Sequence, residues 1–295
     1  MTLLLGTVGA DPPLTQRPEL TGNAGGTWLI SSVDTPAGRV DEVVDAATGR
    51  AAFTVDTDTS GHEVSDVSPD GVWLARIEGR TVRIWDPVAD RDRAHLPAHA
   101  YTRGAAFSPD GTMLVTRLLK VVQAWEIDTG RCLATVRINR ANADALAIAP
   151  DGAWLAAVCS DRRVRILDVA TARSRRVLSA EGLLSAAVEP GGAWLATGGL
   201  DGTVRLWDPG SGRQLAALPG HAGWAAAVAV SPDGTRLASA GTDGLVLIRD
   251  AATGATLATT RTPSPAVLRC RWLADGAGIC VSARDGTAHV YRIPA

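Results

Sequence analysis

The sequence predicts an all-β protein made of seven similar four-stranded units, and three observations carry that reading. First, a Ser-Pro-Asp-Gly turn occurs at 68–71 and recurs at 108–111 and 231–234. Looser copies stand at 149–152, 189–192 and 273–276, with a fainter one at Gly25-Gly26. The closing glycines, at 26, 71, 111, 152, 192, 234 and 276, lie 40 to 45 residues apart. Second, a Trp-Asp pair follows the turns in constant phase. Trp85-Asp86, Trp125-Glu126 and Trp207-Asp208 are the strong copies; Val44-Asp45, Leu167-Asp168, Arg249-Asp250 and Tyr291-Arg292 are weaker ones. Third, the stretches between markers are short apolar or alternating runs bounded by turn residues, which reads as strand rather than helix.

The fifth unit shows the pattern in order. Its runs at 186–188, 194–197, 203–207 and 214–218 are separated by Pro-Gly-Gly, Leu-Asp-Gly and Pro-Gly-Ser-Gly. Asp-Gly between two strands is a hairpin signal, because Gly accepts the positive φ that tight turns need. A sheet of about 42 residues buries too little surface alone, so neighbouring sheets must stack face to face. Length alone suggests two domains. The register instead predicts one domain over 1–295, with units at 14–53, 54–96, 97–136, 137–178, 179–218, 219–260 and 261–295.

Composition narrows the possibilities. Hydrophobic residues at 46% against 20% charged supply a large core, while 31 Gly and 16 Pro exclude a helical bundle. A net charge of −2 leaves no overall positive field for nucleic acid or an anionic membrane. Cys132, Cys159, Cys270 and Cys280 form no C-x-x-C pair, so neither a zinc site nor a disulfide framework is expected. No metal or other cofactor is expected. The first ten residues lack a basic segment and reach Asp11 too soon for a secretory signal. No apolar run approaches the roughly 18 residues of a membrane span. A soluble, cytoplasmic setting and a monomer are expected. Lys120 is the single lysine among 29 basic residues, which with the Ala- and Gly-rich remainder suggests high-GC bacterial coding.

Two segments carry the family signature most fully: 201–208, Asp-Gly-Thr-Val-Arg-Leu-Trp-Asp, and Gly220-His221 followed by Ser231-Pro232-Asp233-Gly234. They resemble the WD-repeat β-propeller family, and the resemblance extends from about 25 to 293. It implies a seven-bladed β-propeller of four-stranded antiparallel blades around a central channel. The last unit stops at Arg292-Ile293, after its third strand, and the run at 2–8 belongs to no unit. The family implies that residues 1–9 supply the missing strand, closing the ring and covering a sheet edge.

In well-formed blades of the family a buried network joins Asp of the Asp-Gly turn, His before the innermost strand, Ser or Thr on the second strand and Trp on the third. No unit here is complete. The fifth has Thr197, Asp201 and Trp207, with Ser179 near the His position; the sixth has His221, Ser239 and Asp243, with Arg249 in place of Trp. The third has His99, Thr116 and Trp125, with Leu119-Lys120 in place of Asp-Gly. Ring stability is therefore expected to rest more on apolar stacking than on these hydrogen bonds.

Eight of the nine tryptophans have architectural explanations. Trp85, Trp125 and Trp207 occupy the repeat's Trp position; Trp28, Trp73, Trp154 and Trp194 follow turn glycines; Trp272 aligns with Phe107. Trp224 has none, and it stands at the mouth of an innermost strand, which in the family faces the top surface. An exposed Trp there suits a partner anchor. Tyr101 with Arg103, Asn142 with Asp144, and Arg284 beside the Asp285-Gly286 turn add a polar rim. The expected function is a non-catalytic interaction scaffold or sensor binding a protein partner on the top face. Resemblance to bacterial members suggests part of a larger signalling protein. The alternative is an enzyme or small-ligand binder at the mouth of the central channel.

Other candidates favour bland readings. Asp56-Thr57-Asp58-Thr59-Ser60-Gly61 begins like a calcium loop, but Val67 stands where the bidentate Glu belongs. Arg173-Ser174-Arg175-Arg176 falls on an outer strand, where charge discourages edge pairing. His62, His95 and His289 are isolated, and no G-x-S-x-G, H-E-x-x-H or P-loop string occurs, so no catalytic residue is assigned.

Overall fold

A computed structural model describes residues 3–4, 6–7, 20–22, 28–35, 38–45, 51–57, 63–97, 102–138, 141–178, 180, 182–263, 267–283 and 288–293. Among these every regular element is a strand. β1 (Leu3–Leu4) and β2 (Gly6–Thr7) precede seven sheets, each built from strands consecutive in the chain. The first contains β3 (Leu20–Gly22), β4 (Trp28–Thr35), β5 (Gly38–Asp45) and β6 (Ala51–Thr57). The second contains β7 (Glu63–Val67), β8 (Leu74–Glu78), β9 (Thr81–Asp86) and β10 (Arg91–Pro97). The third has β11 (Gly104–Phe107), β12 (Met113–Arg117), β13 (Val121–Glu126) and β14 (Cys132–Arg137). The fourth has β15 (Ala143–Ile148), β16 (Trp154–Cys159), β17 (Val164–Asp168) and β18 (Arg173–Val177). The fifth comprises β19 (Leu183–Val188), β20 (Leu195–Gly199), β21 (Val204–Trp207) and β22 (Gln214–Leu218). The sixth comprises β23 (Ala225–Val230), β24 (Arg236–Gly241), β25 (Leu245–Asp250) and β26 (Thr256–Arg261). β27 (Val267–Trp272), β28 (Gly278–Ala283) and β29 (Ala288–Arg292) form the seventh.

The turn chemistry explains both markers. All six described glycines that close the first turn of a sheet have φ between +65° and +76°, a region open to Gly without steric cost. In the second sheet Gly71 N–H donates to the Ser68 carbonyl at 2.9 Å, and the Ser68 hydroxyl bonds the Asp70 carboxylate. The Asp of the second marker caps the turn after the third strand. Asp86 accepts the N–H groups of Val88 and Ala89, and Asp250 those of Ala252 and Thr253. A strand repeat thus advertises itself through its turns.

Burial follows the stacking the composition demands. Six apolar clusters each lie between two consecutive sheets. Val158, Val164, Ile166, Leu195 and Trp207, for example, join the fourth and fifth. At most of the seams the first strands of neighbouring sheets pack against one another, so the sheets approach one another along those strands. Polar ties cross the same seams: Asp41 accepts Val64 N–H at 3.0 Å, and Asp66 accepts Phe107 N–H at 2.8 Å.

The start of the chain divides its pairing, where a single edge strand was expected. Gly6–Thr7 pairs antiparallel with β29 and supplies a fourth strand to the seventh sheet. Leu3–Leu4 instead runs parallel to β26, as a fifth strand on the sixth sheet. The outer edges of two adjacent sheets both offer unpaired backbone groups, and one extended segment can satisfy each in turn. β27 lies beside β3.

Candidate functional site

Because the strands of a sheet alternate in direction, their ends sort onto two faces. The first-to-second and third-to-fourth strand turns lie on one, here the lower face. The upper face gathers the second-to-third strand turns and the links between sheets. Backbone bonds knit the upper face: Leu183 N–H donates to Arg162, Leu200 N–H to Gly182, and Thr242 N–H to Trp224.

The sixth sheet builds the most complete polar network there. His221, 8% exposed, bonds Ser239 Oγ through Nε2 at 2.9 Å and Asp243 Oδ1 through Nδ1 at 3.2 Å. Burial holds the His221 pKa below its ordinary value despite the neighbouring carboxylate. Burial works to raise the Asp243 carboxyl. The N–H groups of Leu245 and Ala222, together with His221, outweigh it and leave the pKa lowered. Arg249, in the Trp position, is buried and donates to the Leu218 carbonyl at 2.8 Å and the Pro219 carbonyl at 2.6 Å.

The fifth sheet solves the same turn differently. Trp207 Nε1 donates to Thr197 Oγ1 at 2.8 Å. Asp201 does not join them: it forms a two-armed pair with Arg205, at 3.0 and 2.5 Å, which pulls its pKa down to about 2. This is the incomplete network expected for a unit without His: no imidazole stands in this sheet to connect the turn carboxylate to the hydroxyl. In the third sheet Trp125 Nε1 donates to Thr116 Oγ1 at 3.0 Å. His99 lies outside the described residues.

Of the expected partner-binding residues, Trp224 is 49% exposed. Its backbone is fixed by Thr242, whose Oγ1 accepts Trp224 N–H at 2.9 Å, so the indole projects from a rigid mount. Arg103 is exposed at the start of the third sheet, and Asn142 is half-buried, its N–H donating to Ser160 Oγ at 2.9 Å. Asp144 is exposed on β15; local desolvation pushes its pKa up, Asp161 adds to that, and Arg117 opposes it. These residues are spread over the third, fourth and sixth sheets rather than gathered in one cluster. Tyr101 and Arg284 lie outside the described residues, as do Asp58, Thr59, Ser60 and Gly61 of the acidic loop.

The structure adds features the motifs did not indicate. A recess of about 480 Å³ opens between the fourth and fifth sheets, lined by Asp161, Arg162, Arg163, Gly182, Leu200 and Asp201. Asp161 is held by Arg165 at 2.8 and 2.5 Å. Arg162 has φ +60°, at the place where the fifth and sixth sheets carry Gly202 and Gly244 at +73° and +75°. That substitution was legible as a broken Asp-Gly. Along the first strands, Asp66 also accepts Val67 N–H at 2.9 Å. Burial raises its pKa to about 7, against the N–H groups and the Arg271 guanidinium. Among the described residues no group of His, Cys, Asp and Glu could hold a metal ion, and all four cysteines are free. No described helix is long and apolar enough to cross a membrane.

Residues 130–168, 173–208 and 212–250 each match the family model described as WD domain, G-beta repeat. The matched segments are offset from the sheets: each takes the last strand of one sheet and the first three of the next. These three matches lie within residues 130–250 and are consistent with a WD-repeat family, whose repeats generally mediate protein–protein interaction and are typically non-catalytic. No curated protein matches the chain.

Proposed function

We propose that the seven sheets form a closed seven-bladed propeller acting as a non-catalytic scaffold or sensor, with a protein partner on the upper face. The observation that carries the site is Trp224, half-exposed on a backbone pinned by Thr242. A large amphipathic side chain with little conformational freedom to lose is a favourable anchor. Ring closure is supported by the antiparallel pairing of Gly6–Thr7 with β29 and by β27 lying beside β3. The four free thiols support a reducing, cytoplasmic setting. The proposal extends to a signalling role as one part of a larger protein, which rests on the family resemblance alone, and to a bacterial source, which the Arg-, Ala- and Gly-rich composition favours.

A pull-down from the source organism with the wild type and a Trp224→Ala variant tests the site. The variant is expected to lose the partner while melting like the parent. Equal retention rejects the assignment of Trp224. Turnover of a substrate in an activity screen, with no stable partner, overturns the scaffold reading.

A further inference from the structure

The two faces differ in charge in a way the net charge of −2 conceals. On the lower face the turns that define the repeat are carboxylate turns. Hydrogen bonds hold several of them well below the ordinary carboxylate range. Backbone N–H groups dominate at Asp86 and Asp168, and hydroxyls at Asp208, Asp233 and Asp250. Asp86 and Asp168 also pair with Arg91 and Arg175, whereas among the described residues Asp208, Asp233 and Asp250 form no salt bridge and leave carboxylate charge on that face.

On the upper face the balance reverses. Asp161 and Asp201 are each paired, with Arg165 and Arg205 respectively, whereas Asp243 bonds a neutral His221 and Asp144 stands exposed near Arg117. Arg80 lies in the turn after β8. Arg103, Lys120 and Arg137 stand at the upper ends of three successive parts of the third sheet, and Arg162 and Arg163 form the turn of the fourth. All six are exposed, and among the described residues none forms a salt bridge.

We propose that this arc binds an acidic segment of a protein partner. The inference rests on the reading of the upper face as the partner surface and supplies the partner's chemistry. Five of the six cations are arginines, whose planar guanidinium matches carboxylates two-armed. Arg162 holds a side chain at a φ where the neighbouring sheets use glycine. An L-residue in the left-handed region is disfavoured by about 1–2 kcal/mol, so the turn keeps a guanidinium where glycine fits more easily. Leu119 is exposed beside Lys120, which offers one apolar contact within the arc. A nucleic acid fits less well. No aromatic platform for stacking bases lies within the arc among the described residues, and the anionic lower face opposes a long polyanion.

The test uses the full chain and three fluorescent probes: deca-glutamate, deca-glutamine and a 20-nucleotide oligo-dT. Deca-glutamate is expected to bind, with affinity falling several-fold between about 0.05 M and 0.5 M salt as the screening length shortens. Deca-glutamine is expected not to bind. Arg162→Glu/Arg163→Glu should weaken binding about tenfold or more. Lys120→Glu/Arg137→Glu, on another sheet, should do likewise if the first pair perturbs its turn. Arg173→Glu/Arg213→Glu, at the lower ends of outer strands, should change it less than about twofold. Absence of deca-glutamate binding, equal weakening by the lower-face pair, or tighter binding of oligo-dT overturns the proposal. A natural partner lost with Trp224→Ala yet kept by both upper-face charge reversals overturns the charge inference and leaves the upper-face reading standing. A partner kept by all three variants overturns both.

Discussion

The fifth and sixth sheets begin from the same Asp-Gly turn and reach opposite solutions. In the sixth, Asp243 faces inwards to a buried imidazole, which passes the hydrogen bonding on to Ser239. In the fifth, Asp201 turns out to Arg205, and its side chain stays 51% exposed. The third strand shows the complementary exchange. Trp207 fills the seam of the fifth sheet and donates to Thr197, whereas Arg249 of the sixth reaches back to carbonyls of the preceding link. A repeat position thus fixes where a polar group stands, and its neighbours decide what that group does. A buried chain of bonds and a seam-filling indole are alternative ways to hold one hairpin against the next.

Several substitutions sharpen or break that contrast. The largest loss is expected from Trp207→Ala, about 3–5 kcal/mol, because a fully buried indole leaves a cavity and orphans the Thr197 hydroxyl. Denaturant midpoints measure it, and a loss under about 1 kcal/mol would show that the fifth seam does not depend on its Trp. His221→Ala is expected to cost about 1–3 kcal/mol by leaving the buried Ser239 hydroxyl without its imidazole partner and Asp243 with only its two backbone N–H donors.

The same residue sets a pH signature. Burial lowers the folded-state pKa of His221 below its unfolded value near 6.5, so in that window the unfolded chain binds more protons. Wild-type stability should therefore fall as pH drops below about 6.5, relative to His221→Gln. Above that pH the difference should be flat. A difference flat from pH 8 to 5 would contradict a neutral, buried imidazole. Asp201→Ala is the counterpart in the fifth sheet and should cost less than about 1 kcal/mol, because solvent screens an exposed pair. Equal costs for Asp201→Ala and His221→Ala would erase the distinction between the sheets. The smallest stability effect, within about 0.5 kcal/mol, is expected from Trp224→Ala, which removes exposed surface and keeps the backbone bonds to Thr242.

Much of this was legible along the chain. The turn glycines and the Trp-Asp pairs mark strand ends because one needs positive φ and the other caps a turn, and both needs are local. The bonds of Trp125 to Thr116, and of His221 to Ser239 and Asp243, fall at positions that the family resemblance, not the periodicity alone, implied. The outward rotation of Asp201 was implied by neither, because it depends on Arg205 four residues on and on the lack of a histidine beside it. Nor was the split pairing of 3–4 and 6–7, which depends on two sheet edges lying side by side. The cationic arc was hidden for a similar reason. Its six residues are scattered over 84 positions of a chain whose net charge is −2.

The sequence by itself determined the strands, their turns and the period at which sheets recur, since backbone conformation and amphipathic patterning are properties of neighbouring residues. Only the tertiary structure decided which charges come together on one face. Stacking the sheets brings every second-to-third strand turn to one end and every first-to-second and third-to-fourth strand turn to the other. That sorting separates charges that alternate along the chain.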